Sequence, residues 1–124
     1  MQHMPSAGSD FTPLEQGVLR AIYEMHPVDR AALEAQLSTA VILSRENTGA
    51  GFYTRFSVKR CSDTAIGGER LRRGPVAKID GLEHGMGFIL WLNEGYADCL
   101  EGYCYEETTT KIALEHAGFE ILEG

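Results

Sequence analysis

The residues best suited to acid–base chemistry in this sequence are a histidine and a glutamate inside the glycine-bounded segment Gly81-Leu-Glu-His-Gly85. His84 follows Glu83 directly, and an imidazole beside a carboxylate can transfer protons near neutral pH. No serine, cysteine or second histidine stands at a spacing that would complete a nucleophilic triad or dyad. The segment is therefore interpreted as an exposed turn. No catalytic residue is assigned, and a non-enzymatic role is favoured.

Metal and nucleotide sites are not predicted. The four histidines are scattered along the chain, at His3, His26, His84 and His116. Neither HExxH nor CxxC occurs, and no glycine-rich phosphate-binding motif is present. Cys99 and Cys104 are five residues apart on one predicted strand, so they point to opposite faces and cannot chelate together. We therefore expect no cofactor, and with Cys61 we expect three free thiols in a reducing, cytoplasmic compartment.

A polar-aromatic surface is the strongest candidate for a binding site. In residues 52–58 strict alternation places Tyr53 and Arg55 on one face of a strand and apolar side chains on the other. Glu101 and Tyr103 alternate in the same way in a later strand. If the two strands are neighbours, Arg55 and Glu101 form a cross-strand ion pair and all four side chains line one surface. An ordinary solvated sheet face remains the alternative.

Two helices are predicted ahead of the sheet. Thr12-Pro13-Leu14-Glu15 is a capping box, and His26-Pro27 ends the helix that it starts. Asp29 is positioned to cap a second helix that runs to about Thr39. We expect an αα-hairpin, preceded by a flexible tail over 1–11. Residues 12–124 are expected to form a single domain.

The remaining chain reads mainly as antiparallel strands. Residues 41–58 are predicted to form two strands with a turn at Asn47-Thr48-Gly49, and further strands are predicted at 75–80, 86–92 and 96–105. Weak helical character is expected at 108–117 and a short edge strand at 119–122. The run MGFILWL (86–92) is apolar at every position except Gly87, which predicts a central strand covered on both faces and a substantially buried Trp91. Residues 59–75 are interpreted as a mobile loop or an extended hairpin tip. The predicted fold is α+β, with the αα-hairpin on one face of a sheet of about five strands.

The charge is distributed unevenly. Residues 1–79 hold ten Lys and Arg against eight Asp and Glu, whereas residues 80–124 hold one Lys and ten acids, a balance of −9 within a total of −7. This asymmetry argues against nucleic acid as a partner and favours a basic protein. No apolar run is long enough to span a membrane. Candidate contributors to an acidic surface lie near turns and strand ends: Glu94, Asp98, Glu106 and Glu107.

Three stretches of the chain resemble a loose group of small bacterial proteins. They are SRENTGAGFYTRFSV (44–58), GLEHGMGFILWLNEG (81–95) and CLEGYCYEE (99–107). Some members of that group are similar to immunity proteins of polymorphic or contact-dependent toxin systems. The shared motifs are glycines that permit turns and close backbone approach, and one glutamate. The resemblance implies a role in masking a toxin and carries no catalytic residue with it.

Three functions are therefore consistent with the sequence. The first is a non-catalytic protein-binding domain, such as an immunity protein that masks a basic toxin. The second is a small-molecule-binding domain or minor enzyme that uses the polar face around Arg55 and Glu101. The third is a structural subunit that forms a homodimer through a sheet edge. A flat acidic patch would favour the first, a deep pocket the second, and an exposed apolar strand edge the third.

Overall fold

The computed structural model describes residues 10–122 of the chain. Two helices, α1 (Pro13–Met25) and α2 (Arg30–Leu37), precede the strands. The strands are β1 (Val41–Asn47), β2 (Gly51–Ser57), β3 (Leu71–Ile79), β4 (Met86–Asn93), β5 (Tyr96–Cys104) and β6 (Phe119–Leu122). Neither helix in this part of the chain has the length and apolar character needed to cross a bilayer. The predicted α+β class is confirmed.

The sheet is antiparallel and has six strands in the order β1-β2-β5-β4-β3-β6. The short edge strand predicted at 119–122 forms and pairs with β3, so the sheet has one strand more than the predicted count of about five. The predicted helical character of 108–117 was also wrong, since this segment forms turns. Its Thr109 is fully buried and hydrogen-bonds to both ends of the β1–β2 turn, so the segment is held by the hairpin it contacts.

Both helices cover the same face of the sheet, but not as one hairpin unit. The capping box starts α1 as predicted, with hydrogen bonds in both directions between Thr12 and Glu15. Helix α1 lies against β3 and β6, whereas α2 lies against β5 and a short 3-10 turn at 62–64. Asp29 stands at the predicted N-cap of α2 without capping it, because its carboxylate accepts from Arg72 at 2.7 Å instead.

The core lies between the helices and the sheet face that carries Phe52, Phe56, Phe88 and Leu100. Phe11 belongs to this core, with its ring 5.4 Å from that of Phe56. The tail was predicted to include residue 11, but Phe11 is part of the folded domain. Residues 1–9 of the predicted tail lie outside the described part of the chain.

Strand β4 is central, as predicted, but only one of its faces is covered. Phe88 and Leu90 are fully buried under the helices. Ile89 and Trp91 point to the other face, where each is partly exposed. The expected double coverage was therefore wrong, whereas Trp91 is substantially buried, as expected. A central position in a sheet excludes solvent from the edges of a strand, whereas coverage of its faces depends on where the helices lie.

The basic segment 59–75 is largely fixed in place. Its last five residues belong to β3, which begins at Leu71 rather than at residue 75. The buried amide of Gln36 donates to the carbonyls of Thr64 and Gly95 and accepts from Ala97 N at 2.9 Å. Arg72 donates to three backbone carbonyls of residues 67–71. The hydrogen bonds of Gln36 hold the segment against α2 and the β4–β5 turn.

The β4–β5 turn leads to a testable stability difference. Its two central residues, Glu94 and Gly95, have φ of 55° and 91°, the type I′ combination that favours Asn-Gly. Glu94→Asn should therefore stabilise the fold by about 0.5–1 kcal/mol relative to Glu94→Gln. Both variants lose the exposed ion pair with Arg60, so the comparison isolates the backbone term. Urea unfolding measures it, and equal midpoints would contradict it.

Candidate functional site

The four side chains of the predicted polar-aromatic surface do lie on one face of the sheet. Strands β2 and β5 are neighbours, and their register places Tyr53 directly opposite Glu101. Tyr103 follows Glu101 by two residues and Arg55 follows Tyr53 by two, so all four share the face that the helices leave uncovered. We call this surface the open face.

The predicted ion pair between Arg55 and Glu101 is not formed. Arg55 stands opposite Cys99, its guanidinium lies 3.5 Å from Glu46 on β1, and its carbon Cζ is 4.9 Å from the centre of the Tyr53 ring. Glu101 instead accepts a hydrogen bond of 2.9 Å from the indole nitrogen of Trp91. Alternation in each strand therefore predicted the shared face correctly, but the predicted ion pair was wrong, because contacts between diagonal neighbours depend on the register of the strands.

Glycine shapes the aromatic part of the open face. Tyr103 covers Gly87 on β4, where a Cβ atom would lie 2.5 Å from its ring. The same tyrosine makes an edge-to-face contact with Tyr105, with ring centroids 5.6 Å apart. Burial, and then a hydrogen bond that the Tyr103 hydroxyl donates to the neighbouring phenol of Tyr105, raise the pKa of Tyr103. Gly87 is therefore required for this close approach, as expected for glycine in a strand interior.

An apolar and aromatic centre with a charged rim characterises the open face. The register of the six strands brings together side chains that are mostly half-buried, with Glu101 as the charged residue among them. These side chains are Tyr53, Leu71, Val76, Ile89, Trp91, Cys99, Glu101, Tyr103 and Leu122. Exposed charges, among them Glu46, Arg55 and Arg73, surround this centre. Tyrosine, tryptophan and arginine are the residues enriched in protein interfaces.

The four acidic candidates do not form one patch. Glu94 lies in the β4–β5 turn and pairs with Arg60 at 2.8 Å. Glu106 and Glu107 follow the far end of β5, a strand of nine residues that spans about 30 Å. Asp98 lies inside that strand, half-buried beside the bulge between β4 and β5. The predicted single acidic surface is therefore divided between the two ends of the sheet.

Glu107 has a local structural role. Its carboxylate accepts hydrogen bonds of 2.8 Å from the backbone amides of Glu83 and His84. These two bonds lower the pKa of Glu107, which therefore stays ionised at neutral pH. The contact joins the β3–β4 turn to the end of β5. Of the four acidic candidates, Glu106 is the one that is exposed and has no described partner.

A second polar cluster, missed by the sequence analysis, lies under the helices. Glu15 is 3% exposed and accepts from Arg45 through both Nε and Nη2, at 3.1 and 2.8 Å, and from the hydroxyl of Thr54. Burial disfavours its charge, but these bonds and one from Thr12 hold the pKa of Glu15 below its ordinary value. One side of a cavity of about 90 Å³ is lined by Thr12, Glu15, Arg45 and Thr54.

The Glu15 cluster has little capacity left for a ligand. A carboxylate accepts about four hydrogen bonds, and Glu15 already accepts four from these three residues. Arg45 also donates to the carbonyl of Asp10. The cluster therefore anchors the edge strand β1 to helix α1. The capping box signalled Glu15 in the sequence, but nothing there indicated Arg45, which is 30 residues away.

The other candidate groups remain apart. His84 is exposed in the turn before β4, and only its backbone amide has a described partner. Within residues 10–122 no three His, Cys, Asp or Glu side chains are placed to hold a metal ion. The three cysteines in that range are free thiols. Burial raises the pKa of the Cys99 thiol to about 11, so it is protonated and weakly nucleophilic at neutral pH.

Protein-family models, curated proteins and solved structures were compared with the chain. None of them matches it. The open face and its chemistry are therefore the basis for the function proposed below.

Proposed function

We propose that this chain is a non-catalytic protein-binding domain whose open face receives a basic protein. The observation that carries this proposal is the one-sided sheet. The helices cover one face, while the other presents a half-buried aromatic and apolar centre with a charged rim. A surface of this composition is typical of a protein interface, because aromatic anchors lose water there at a small cost in side-chain entropy.

The charge of the chain supports a basic partner. The net charge is −7, and the acidic excess lies in residues 80–124, which include β4 and β5 at the middle of the sheet. Such a field attracts a cationic protein and raises its association rate. An immunity protein that masks a basic toxin fits these properties, and the resemblance of the hairpin and strand motifs supports the same class.

A small-molecule site around Arg55 and Glu101 has weaker support. Arg55 is engaged by Glu46 and Tyr53, and the 90 Å³ cavity belongs to the helix-covered side of the sheet. Neither Arg55 nor Glu101 lines that cavity. Small ligands usually bind in concave sites that enclose most of their surface, whereas the open face is a broad surface.

A homodimer through the edge of β1 is the second candidate. Val41 and Leu43 on this edge strand are 56% and 65% exposed, which favours pairing with another copy. Leu43 lies in a bulge, and charged Arg45 and Glu46 follow it, features that protect edges from pairing. If the dimer forms, Leu43→Lys should convert it to a monomer in sedimentation analysis while binding by the open face is retained.

Capture of the partner tests the proposed function. The chain is immobilised in three forms, and a lysate of the source cell is passed over each. The first is wild type, and the second is Tyr53→Ala with Tyr105→Ala, which removes one ring of the open face and the exposed ring that contacts Tyr103. The third is Arg20→Ala with Glu24→Ala on the exposed side of α1. We expect wild type and the helix variant to retain the same basic protein, identified by mass spectrometry. The open-face variant should bind it at least ten-fold more weakly, which corresponds to about 1.4 kcal/mol. Equal binding by all three, or no retained protein, would overturn the proposal.

Electrostatic steering gives a separate measurement once that partner is purified. Glu106→Lys should slow association several-fold at low salt and leave the dissociation rate nearly unchanged, because rim charges act mainly on the encounter. Glu107 is unsuitable for this test, since it holds the β3–β4 turn. An association rate that responds neither to the substitution nor to salt would contradict a role for the acidic charge.

A further inference from the structure

We propose that Glu101 and the aromatic side chains around it form a binding site for an arginine side chain of the partner protein. This inference rests on the proposed function and names the chemistry that the open face recognises. Glu101 lies in β5, one of the two central strands of the sheet, with Tyr53 directly opposite it on β2 and Ile89 directly opposite on β4. Its position is therefore the centre of the face.

The aromatic groups surround the carboxylate on several sides. The indole nitrogen of Trp91 donates to one oxygen of Glu101, Oε1, at 2.9 Å. Tyr53 lies directly opposite Glu101 on the neighbouring strand β2, and Tyr103 is the next residue along β5 on the same face. Directly opposed side chains have Cβ atoms about 5 Å apart, so these rings are within reach of any group bound to the carboxylate.

The Glu101 carboxylate has unused capacity for a cation. Five ion pairs are formed among residues 10–122, and Glu101 belongs to none of them. Arg55 is the cationic side chain on the neighbouring strand β2, and it forms its ion pair with Glu46. A carboxylate accepts about four hydrogen bonds, and the described donor to Glu101 is Trp91 alone. A half-buried carboxylate in this position is complementary to a positive group that arrives with the partner.

Arginine suits this site better than lysine. A guanidinium is planar, stacks on aromatic rings, and donates several hydrogen bonds to a carboxylate in a fixed geometry. An ammonium is a compact and strongly hydrated charge, so it loses more when it leaves water. One arginine of the chain itself already stacks on an aromatic ring of the open face, since the Arg55 guanidinium lies over the Tyr53 ring. An anionic ligand would be repelled by Glu101.

Trp91 makes the site directly observable. It is the single tryptophan of the chain, so its indole N–H gives one assignable signal in a nitrogen–proton NMR spectrum. The probe is a short, otherwise uncharged peptide with capped ends and one arginine, added up to millimolar concentration. We expect a saturable shift of the indole signal. Peptides with citrulline or lysine in place of arginine should bind at least ten-fold and about three-fold more weakly, respectively.

Glu101→Gln is the decisive variant. Its amide oxygen can still accept from Trp91, so the surroundings are preserved while the charge is removed. Binding of the arginine peptide should weaken at least ten-fold in Glu101→Gln. Glu120→Gln, which removes an exposed carboxylate on the edge strand β6, should leave it within two-fold. Equal binding of the arginine and citrulline peptides, equal binding of the lysine peptide, or an unchanged Glu101→Gln would overturn the site.

The two proposals fail in different ways. If the captured partner is lost from the Tyr53→Ala, Tyr105→Ala variant but binds Glu101→Gln as tightly as wild type, the open face is the interface and the arginine site is rejected. If the arginine peptide binds as expected but no partner depends on the open face, the site stands as a guanidinium site and the proposed function is rejected.

Discussion

Phe88→Ala is expected to lower the free energy of unfolding by about 3–5 kcal/mol, the usual cost of removing a large buried aromatic side chain. Phe88 is fully buried in the central strand β4, and its ring centroid lies 6.1 Å from that of Phe52. Its closest backbone neighbours are glycines: Gly102 stands directly opposite on β5, and Gly74 lies alongside on β3. Glycines have no side chains that could fill the cavity, so the site should relax little.

Ile89→Ala provides the control for this substitution. Ile89 is the next residue of the same strand, but it points to the open face and is half-buried. We expect its cost to be less than half that of Phe88→Ala, because less apolar area is removed from contact. Urea unfolding of both variants makes the comparison. Equal costs would mean that the open face is covered as fully as the core.

Arg45→Met is expected to destabilise the fold by a similar amount, about 3–5 kcal/mol at pH 7, because it leaves the buried Glu15 carboxylate without its cation. Arg45 supplies two of the hydrogen bonds to that carboxylate and connects β1 to α1. Arg30→Met is the matched control. Its pair with Glu34 is about half exposed on both sides, and such surface pairs contribute little.

The contribution of Glu15 to the free energy of unfolding should depend on pH with opposite signs in Arg45→Met and in wild type. In wild type the pKa of Glu15 lies below its ordinary value of 4.5, so its contribution to stability is present above pH 4.5 and is lost as the pH falls through the folded pKa. Without Arg45, burial dominates and raises the pKa above 4.5. The protonated form then favours folding, so stability gained from Glu15 increases as the pH is lowered toward 4.5.

Unfolding of both proteins at pH 7 and at pH 5 isolates this effect. The remaining carboxylates are common to wild type and variant, so the difference between the two free energies reports on Glu15. We expect this difference to be smaller at pH 5 than at pH 7. A difference that is constant across this range would show that Glu15 is neutral or solvated in the variant, contrary to its burial.

Short-range patterns predicted most secondary structure and the composition of the open face. The capping box at Thr12 and the proline at position 27 fixed the limits of α1, because helix ends depend on a few adjacent residues. Alternation in 52–58 correctly separated core and open-face residues, since the side-chain period of a strand is two. The same rule applied to 86–92 would have placed Ile89 and Trp91 on the open face, but a continuous apolar run concealed it.

The sequence by itself determined which residues share a face: Tyr53 with Arg55, and Glu101 with Tyr103. That information is local, because it follows from backbone geometry over a few residues. The tertiary structure decided which faces are covered and which charges meet. Register paired Arg55 with Glu46 and left Glu101 to Trp91, and strand length placed Glu94 and Glu106 at opposite ends of the sheet. Such contacts join residues far apart in the chain, and a one-residue shift in register would change all of them.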